Sequence, residues 1–286
     1  MRDFVGIARG RRWAFLLAAL IVSAPSTAEM VPRWELGVGV GSLAFPDYRG
    51  ASHNNVRTLP LPFVVYRGDT VQVKREGIAV ELLDSDRLEI ALSAGASLPG
   101  DDEAADSPRA GMPELLPTFE AGPSLDYWLL KPGERAWQVR LRLPVRAVMA
   151  TNLRQFEPAG WLIQPQIDVS RRWQPSAWSL RLRGGLGALW ASNKYHSYFY
   201  EVAPQFASAQ RPAYEAEGGY SGVRVGLGFT AHRDRWRVGF GISLDQFAGA
   251  AFADSPLVQT ERSVVVGLGL AYRFLQSREY TVREDD

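Results

Sequence analysis

The chain has no cysteine in 286 residues, which excludes a disulfide framework and any thiolate metal site. Histidine is almost as scarce: His53, His196 and His232 are all there are, and each falls in or beside an expected loop. No apolar run approaches the roughly twenty residues that a helix needs to span a bilayer, which argues against a helical membrane protein. Excess charge is missing as well. Lys and Arg number 32 against 31 Asp and Glu, or 28 against 30 once residues 1–28 are set aside. A near-neutral chain offers no electrostatic basis for binding nucleic acid.

What is present begins with a leader. Arg9, Arg11 and Arg12 precede an apolar run from Trp13 to Val22, and Ser26-Thr27-Ala28 closes the segment. A basic start, an apolar core of about ten to twelve residues and a small-x-small end make a secretory signal, with cleavage expected after Ala28.

The rest is dominated by period-two alternation, clearest in Ser263–Phe274. Val264, Val266, Leu268, Leu270, Tyr272 and Phe274 share one face; Ser263, Val265, Gly267, Gly269, Ala271 and Arg273 share the other. Side chains of a strand alternate between its two faces, so one face is apolar and the other small and partly polar. Similar segments, each long enough to cross a bilayer as a tilted strand, are Arg33–Phe45, Thr70–Leu83, Arg87–Leu98, Thr118–Leu130, Ala136–Met149, Gly160–Trp173, Trp178–Ala191, Tyr220–His232 and Arg235–Ala248. Short turns alternate with long connections at 46–69, 99–117, 150–159, 192–219 and 249–260. That is the pattern of an outer-membrane barrel with short periplasmic turns and long outer loops. The expectation is an all-β fold: one antiparallel transmembrane barrel over residues 29–274, followed by a polar periplasmic tail, 275–286. Ten strands return both termini to the periplasm. Leu59–Tyr66 also alternates, but Pro60 and Pro62 remove two N–H groups from one edge, so it reads as half of a hairpin above the membrane. A twelve-strand barrel, with a further strand inside 192–219, is the alternative.

The inward faces carry the chemistry. Gln138, Arg140, Arg142 and Arg146 on one strand, Arg181 and Arg183 on another, and Arg224, Arg237 and Asp245 on two more face the lumen. Earlier strands supply Glu35, Glu81, Glu89, Glu120 and Asp126. Two readings follow. The charges could set a transverse field across a narrow pore for small charged solutes, or pair with one another and fill the lumen. Barrels near eight strands are filled by their own side chains, whereas open channels have sixteen or more, which favours filling.

Catalytic and cofactor signals are weak. His53 and His196 each have a serine nearby in sequence, but triads are recognised by geometry and not by spacing. Asp101-Asp102-Glu103 with Asp106 has oxygen ligands suited to calcium, though a solvated acidic loop is the simpler reading. Gly37-x-Gly39-x-Gly41 lacks the spacing and following helix of a phosphate loop. No enzyme activity and no cofactor are expected.

Residues 34–274 resemble the MipA/OmpV family of outer-membrane proteins. The resemblance rests on Leu36-Gly37-Val38-Gly39-Val40, Pro46-Asp47-Tyr48-Arg49-Gly50 and Leu59-Pro60-Leu61-Pro62 leading to Tyr66-Arg67-Gly68-Asp69. Leu82–Asp86, Gly111–Leu115, Tyr198–Val202 with Tyr214, Asp254–Val258 and Gly269–Phe274 extend it. It implies a non-enzymatic barrel of the Gram-negative outer membrane, embedded in its lipid. It also implies a scaffolding role in envelope maintenance, with a lytic transglycosylase and a murein synthase as partners. The porin reading stands as the alternative. The segment 192–219 holds Tyr195, Tyr198, Phe199, Tyr200, Phe206 and Tyr214, more aromatics than a solvated loop requires. It is expected to fold as a lid over the mouth, packed on the hairpin around Tyr66, with a surface binding patch as the competing reading.

Overall fold

The computed structural model describes residues 30–67, 71–74, 77–80, 83–84, 87–100, 107–131 and 137–282. The signal segment and Asp101–Asp106 lie outside the described residues. In chain order the strands are β1 (Met30–Pro32), β2 (Trp34–Pro46), β3 (Asn54–Arg67), β4 (Val71–Lys74), β5 (Gly77–Val80), β6 (Leu83–Asp84), β7 (Leu88–Ser97) and β8 (Thr118–Leu130). They continue as β9 (Trp137–Thr151), β10 (Phe156–Ile163), β11 (Gln166–Trp173), β12 (Ser179–Ala191), β13 (Gly219–Arg233), β14 (Trp236–Gln246), β15 (Arg262–Gln276) and β16 (Tyr280–Val282). One helix, α1 (Asn193–Tyr200), lies between β12 and β13.

Alternation puts apolar side chains on one face of each long strand, and those faces are exposed. On β9 these are Trp137, Leu141, Leu143 and Val145; on β14, Trp236, Val238, Phe240, Ile242 and Leu244. A soluble sheet would bury such a face. Here hydrocarbon is its solvent, and closure into a barrel then becomes obligatory, because an open ladder in lipid leaves backbone polar groups unsatisfied. The hydrogen-bonded path runs β5-β4-β3-β2-β15-β14-β13-β12-β10-β9-β8-β7-β6, with β11 between β12 and β9. The first and last long strands, β2 and β15, pair antiparallel from Val266↔Ala44 to Gln276↔Glu35. At the other end of the path, β5 lies beside β7, as β6 does. The wall therefore returns on itself.

With β1 and β16 set aside as a separate two-stranded sheet, counting β5 with β6 and β10 with β11 as single interrupted strands gives twelve among the described residues, the larger of the two expected numbers. One additional strand, β3, holds the Leu59–Tyr66 segment that the twelve-strand alternative needed, and the other comes from Thr70–Leu83 and not from 192–219. Segment 54–67 is not a hairpin above the membrane: β3 pairs with β2 through thirteen positions, from Pro46↔Asn54 to Trp34↔Tyr66. Pro60 and Pro62 are tolerated because β4 meets β3 only at Tyr66 and Arg67. Among the described residues the prolines' outer edge has no ladder to break, which is the edge placement that proline requires. The expected strand over Thr70–Leu83 is a short hairpin, β4 and β5, followed by β6. Segment 192–219 contributes α1 and no long strand.

Proline also explains the break in the expected strand Gly160–Trp173. Pro165 lies between β10 and β11, yet Ile163↔Val145 and Gln166↔Arg142 keep one register against β9. The ladder loses hydrogen bonds at Pro165 without slipping. The segment expected as a polar tail begins inside β15, which reaches Gln276, and its later part pairs with the N-terminal strand as Met30↔Val282, Val31↔Thr281 and Pro32↔Tyr280.

Leu227 and Gly228 are neighbours near the middle of β13 on opposite faces. Leu227 is about half exposed, and a Cβ added at Gly228 would meet nothing nearer than the Phe240 carbonyl oxygen at 3.8 Å. Leu227→Arg should lower the folding free energy in lipid vesicles by about 2–4 kcal/mol, the cost of a cation near the bilayer midplane. Gly228→Ser should leave it within about 0.5 kcal/mol. Equal losses in urea titration of the two variants would reverse the assignment of faces.

Candidate functional site

Register decides what the inward charges do, because it sets which residues stand opposite each other. Arg142 of β9 faces Asp126 of β8 and Gln166 of β11, while Arg140 faces Asp168. Asp126, fully buried, receives Arg142 Nε at 3.1 Å and Arg140 Nη1 at 3.2 Å; Ser124 donates to its other oxygen. Asp168 lies 3.5 Å from Arg142 and 3.7 Å from Arg140. Higher in the barrel Arg146 bridges Glu120 at 3.1 Å and donates to Gln164 Oε1 at 2.7 Å. At the opposite end Glu35 accepts from Arg237 at 2.6 Å and from Arg273 at 3.0 Å. The acidic and basic walls expected from sequence are therefore not separated by a pore. The paired acids and bases stand on adjacent strands or, for Glu35 and Arg237, on the two strands that flank β15, and they neutralise one another.

The remaining residues of the expected set are distributed differently. Glu89 accepts from the Trp128 indole at 3.3 Å, and Arg140 stacks 4.9 Å over the same ring. Arg181 and Arg183 sit on β12 opposite Arg172 and Ser170 of β11. Glu81 lies outside the described residues, as does the acidic run at 101–106. Asp168 was missed by the sequence reading, although alternation within Gly160–Trp173 puts it on the inward face with Gln166 and Ser170.

Above the lumen the outer loops make the larger of two buried apolar clusters, the smaller being Phe63, Val65 and Ala271 within the wall. Tyr48, Leu115, Tyr195, Phe199, Tyr200, Phe247, Phe252 and Leu257 pack together, all nearly inaccessible to solvent. Tyr200 and Phe252 stack with ring centroids 3.9 Å apart and planes 1° apart. Helix α1 presents Tyr195 with Phe199 and His196 with Tyr200, four residues apart and so on one face. Ser192 caps it, its hydroxyl accepting from Tyr195 N at 3.3 Å and from Trp161 N at 3.1 Å. Gly160, at φ +100°, runs close beneath that cap, where a Cβ would collide with Ser192 and Tyr195.

Polar atoms within this cap are tied across loops. Tyr48 donates to Leu257 O at 2.7 Å, Tyr200 to Arg49 O at 3.0 Å, Ser255 to Tyr200 O at 2.7 Å and Tyr198 to Leu116 O at 3.0 Å. Arg109 and Arg211 pin the 107–117 loop to 199–211 through carbonyl oxygens of Phe199, Pro108 and Ala110. Segment 192–219 thus covers the mouth packed on aromatic side chains, but not against the region of Tyr66. That residue pairs with Trp34 at the far end of β2; the apolar surface comes from the 47–53, 107–117 and 247–261 loops.

Cap and lumen meet at Arg49. From the first outer loop it reaches down to Asp245 on β14, Nε to Oδ2 at 2.7 Å, and to Ser221 on β13, through Nη1 to Oγ at 3.1 Å and Nη2 to the carbonyl at 2.7 Å. Its guanidinium also lies over the Phe247 and Phe252 rings. Arg224 grips the same Asp245, with both contacts at 2.6 Å. This one carboxylate holds a strand and a loop together.

The sequence model described as MltA-interacting protein MipA matches residues 38–274. The chain belongs to the MipA family. No curated protein sequence matches it. Among solved structures, an outer membrane channel from Pseudomonas putida F1 is 11% identical, with 89% of this chain and 100% of that one covered, at a TM-score of 0.39. Neisserial surface protein A is 9% identical, with 84% and 97% covered and a TM-score of 0.27. The outer membrane protease OmpT of Escherichia coli is 9% identical, with 88% and 100% covered and a TM-score of 0.26. A MipA-family β-barrel is a protein of the Gram-negative outer membrane.

Neither His53 nor His196 of this MipA-family barrel is isolated. His53 Nδ1 lies 3.1 Å from both carboxylate oxygens of Asp47, which also accepts from Asn55; these contacts close the first outer loop. His196 is fully buried, with Nδ1 2.6 Å from the Glu217 carbonyl oxygen and Nε2 3.1 Å from Ser221 Oγ. A carbonyl can only accept, so the proton sits on Nδ1 and Nε2 accepts from the serine. Ser221 is only 1% exposed and shared with Arg49, a lock between helix and strand.

Two outcomes follow. Burial lowers the His196 pKa from its usual value, and nearby Arg49 adds to the effect. In the unfolded chain it titrates at about 6.5. The unfolded state therefore takes up the proton first on acidification. Cap stability should be constant above pH 6.5 and fall as the pH drops below it. Proteolysis within 192–219 should quicken between pH 6.5 and 5 in the parent, and His196→Gln should remove that dependence. Asp245→Asn leaves Arg49 and Arg224 without their shared anion and should destabilise the cap by about 3 kcal/mol, read as a lower melting temperature in near-ultraviolet dichroism.

Proposed function

We propose that the protein is a non-enzymatic, sealed barrel that serves as a structural anchor in the outer membrane, attaching murein-processing machinery at its periplasmic side. The observation that supports a sealed barrel is the double closure: charged residues inside pair with one another, and a buried aromatic core caps the outer mouth. An open diffusion pore needs neither. The family's description as MltA-interacting supports a lytic transglycosylase as the anchored partner. A murein synthase as a second partner extends that reading through the family resemblance.

A narrow, gated channel is the second reading, favoured by one observation. The cap hangs on a small number of polar ties centred on Arg49, so its displacement would expose the lumen. In planar bilayers the parent protein should give no stable conductance steps. Deleting Ser197–Gln210 together with Arg140→Ala and Arg142→Ala should produce them. Steady steps from the parent, altered in selectivity by Arg140→Ala and Arg142→Ala, would overturn the anchor reading and establish the channel. Crosslinking in intact cells should recover a lytic transglycosylase with the parent barrel.

A further inference from the structure

At the end carrying the short turns, the outward face of the barrel interleaves arginines with aromatic rings. Arg171 of β11 pairs in register with Trp137 of β9 and with Leu182 of β12, so its side chain lies on the lipid-facing side with theirs. Its guanidinium sits 5.3 Å over the Trp137 ring. Nε is shielded from solvent, and among the described residues it has no hydrogen-bond partner and no acid pairs with this cation. Trp173, two residues on, leans against Phe229 of β13 at 6.4 Å. Further round the rim Arg233 lies 5.7 Å over Trp178, and Arg235 donates to the Tyr272 hydroxyl at 3.3 Å beside Trp236. The acid on this arc among the described residues is Asp234, 3.6 Å from Arg233, with both side chains largely exposed.

A ring face stabilises a cation by about 0.5–2 kcal/mol, but it offers no acceptor for the N–H groups. Arg171 stands two residues from the strand end, at the depth where hydrocarbon gives way to headgroups. There the available acceptor is phosphate, which a planar guanidinium binds through paired hydrogen bonds. Its aromatic neighbours are of the amphipathic type that settles at headgroup level. We infer that the arc from Trp137 to Tyr272 is a binding site for an anionic phospholipid of the periplasmic leaflet, with Arg171 as the phosphate-holding residue and Arg233 and Arg235 extending the contact. The lipid must be anionic: three arginines against one aspartate leave a positive rim, and the ammonium of a zwitterionic headgroup would lie against it. Chemistry that seals the outer mouth has no use for this arc, so the site is independent of the function proposed above.

The test is lipid retention. Full-length mature barrel is equilibrated with equal amounts of phosphatidylglycerol and phosphatidylcholine in detergent, and the bound lipids are counted by native mass spectrometry. The parent should retain phosphatidylglycerol preferentially. Each of Arg171→Gln, Arg233→Gln and Arg235→Gln should reduce the preference by up to about fivefold, from roughly 1 kcal/mol per arginine near the surface. Arg262→Gln, at the opposite rim where Arg262 donates to Gln246, should leave it unchanged. Heat-modifiable mobility on gels confirms that each variant is folded; if Arg171→Gln is not, the Arg233→Gln/Arg235→Gln pair carries the test. Inorganic phosphate at millimolar concentration should not displace the lipid. Equal retention of the two lipids by the parent, an unchanged preference in the folded variants, or full displacement by phosphate would each overturn the assignment.

Discussion

A carboxylate inside a narrow barrel loses several kcal/mol of hydration, and a single cation rarely restores it. Here the buried acids are held at least twice. Asp126 has Arg140 and Arg142, Asp245 has Arg49 and Arg224, and Glu35 has Arg237 and Arg273. These pairs also specify the wall. A one-residue slip between neighbouring strands turns every side chain to the other face. It would carry the ions into lipid and the leucines into the lumen at once. The charge ladder inside and the apolar face outside therefore enforce one register, and both would be lost together.

The same logic reaches the outer mouth through Arg49. Its partners on β13 and β14 are strand residues, while its own backbone belongs to the first outer loop and accepts from Tyr200 of α1. Neutralising Asp245 thus releases not one contact but the junction between an ion-paired lumen and an apolar cap. His196 sits on that junction as well, joined to Arg49 through Ser221. The cap is rigid because its aromatic rings are buried, and it is seated because a few polar atoms aim it.

How much of this was legible follows from the range of each interaction. The alternation in Ser263–Phe274 is local, and β15 is there as read, one residue longer at its start and two at its end. Inward charges on β8, β9, β13 and β14 follow from the same parity. Their pairing does not, because it depends on which strands are neighbours and in what register. Leu59–Tyr66 was misplaced for an instructive reason. Two prolines on one edge do forbid a ladder, but only on that edge, and sequence alone does not tell which edge is free. In 192–219 the excess of aromatics signalled a packed segment. The Ser192 cap and the four-residue spacing of Tyr195 with Phe199 were the available signs that it is helical. Arg49 was out of reach, since nothing in a loop's composition announces that one of its arginines enters a barrel.

The two ends of the barrel thus solve opposite problems with the same residue types. At the outer end aromatics point inward over the lumen and are buried, with the hydroxyls of Tyr48, Tyr198 and Tyr200 paired within the chain. At the short-turn end aromatics point outward into lipid, and Arg171 among them lacks an acceptor among the described residues. Self-sufficiency at one rim and an unmet hydrogen-bonding demand at the other give the molecule a polarity that its neutral net charge conceals. The outer rim is closed by its own side chains, whereas the short-turn rim sets an arginine among aromatic rings in lipid, so the two ends of one wall meet their surroundings by opposite chemistry.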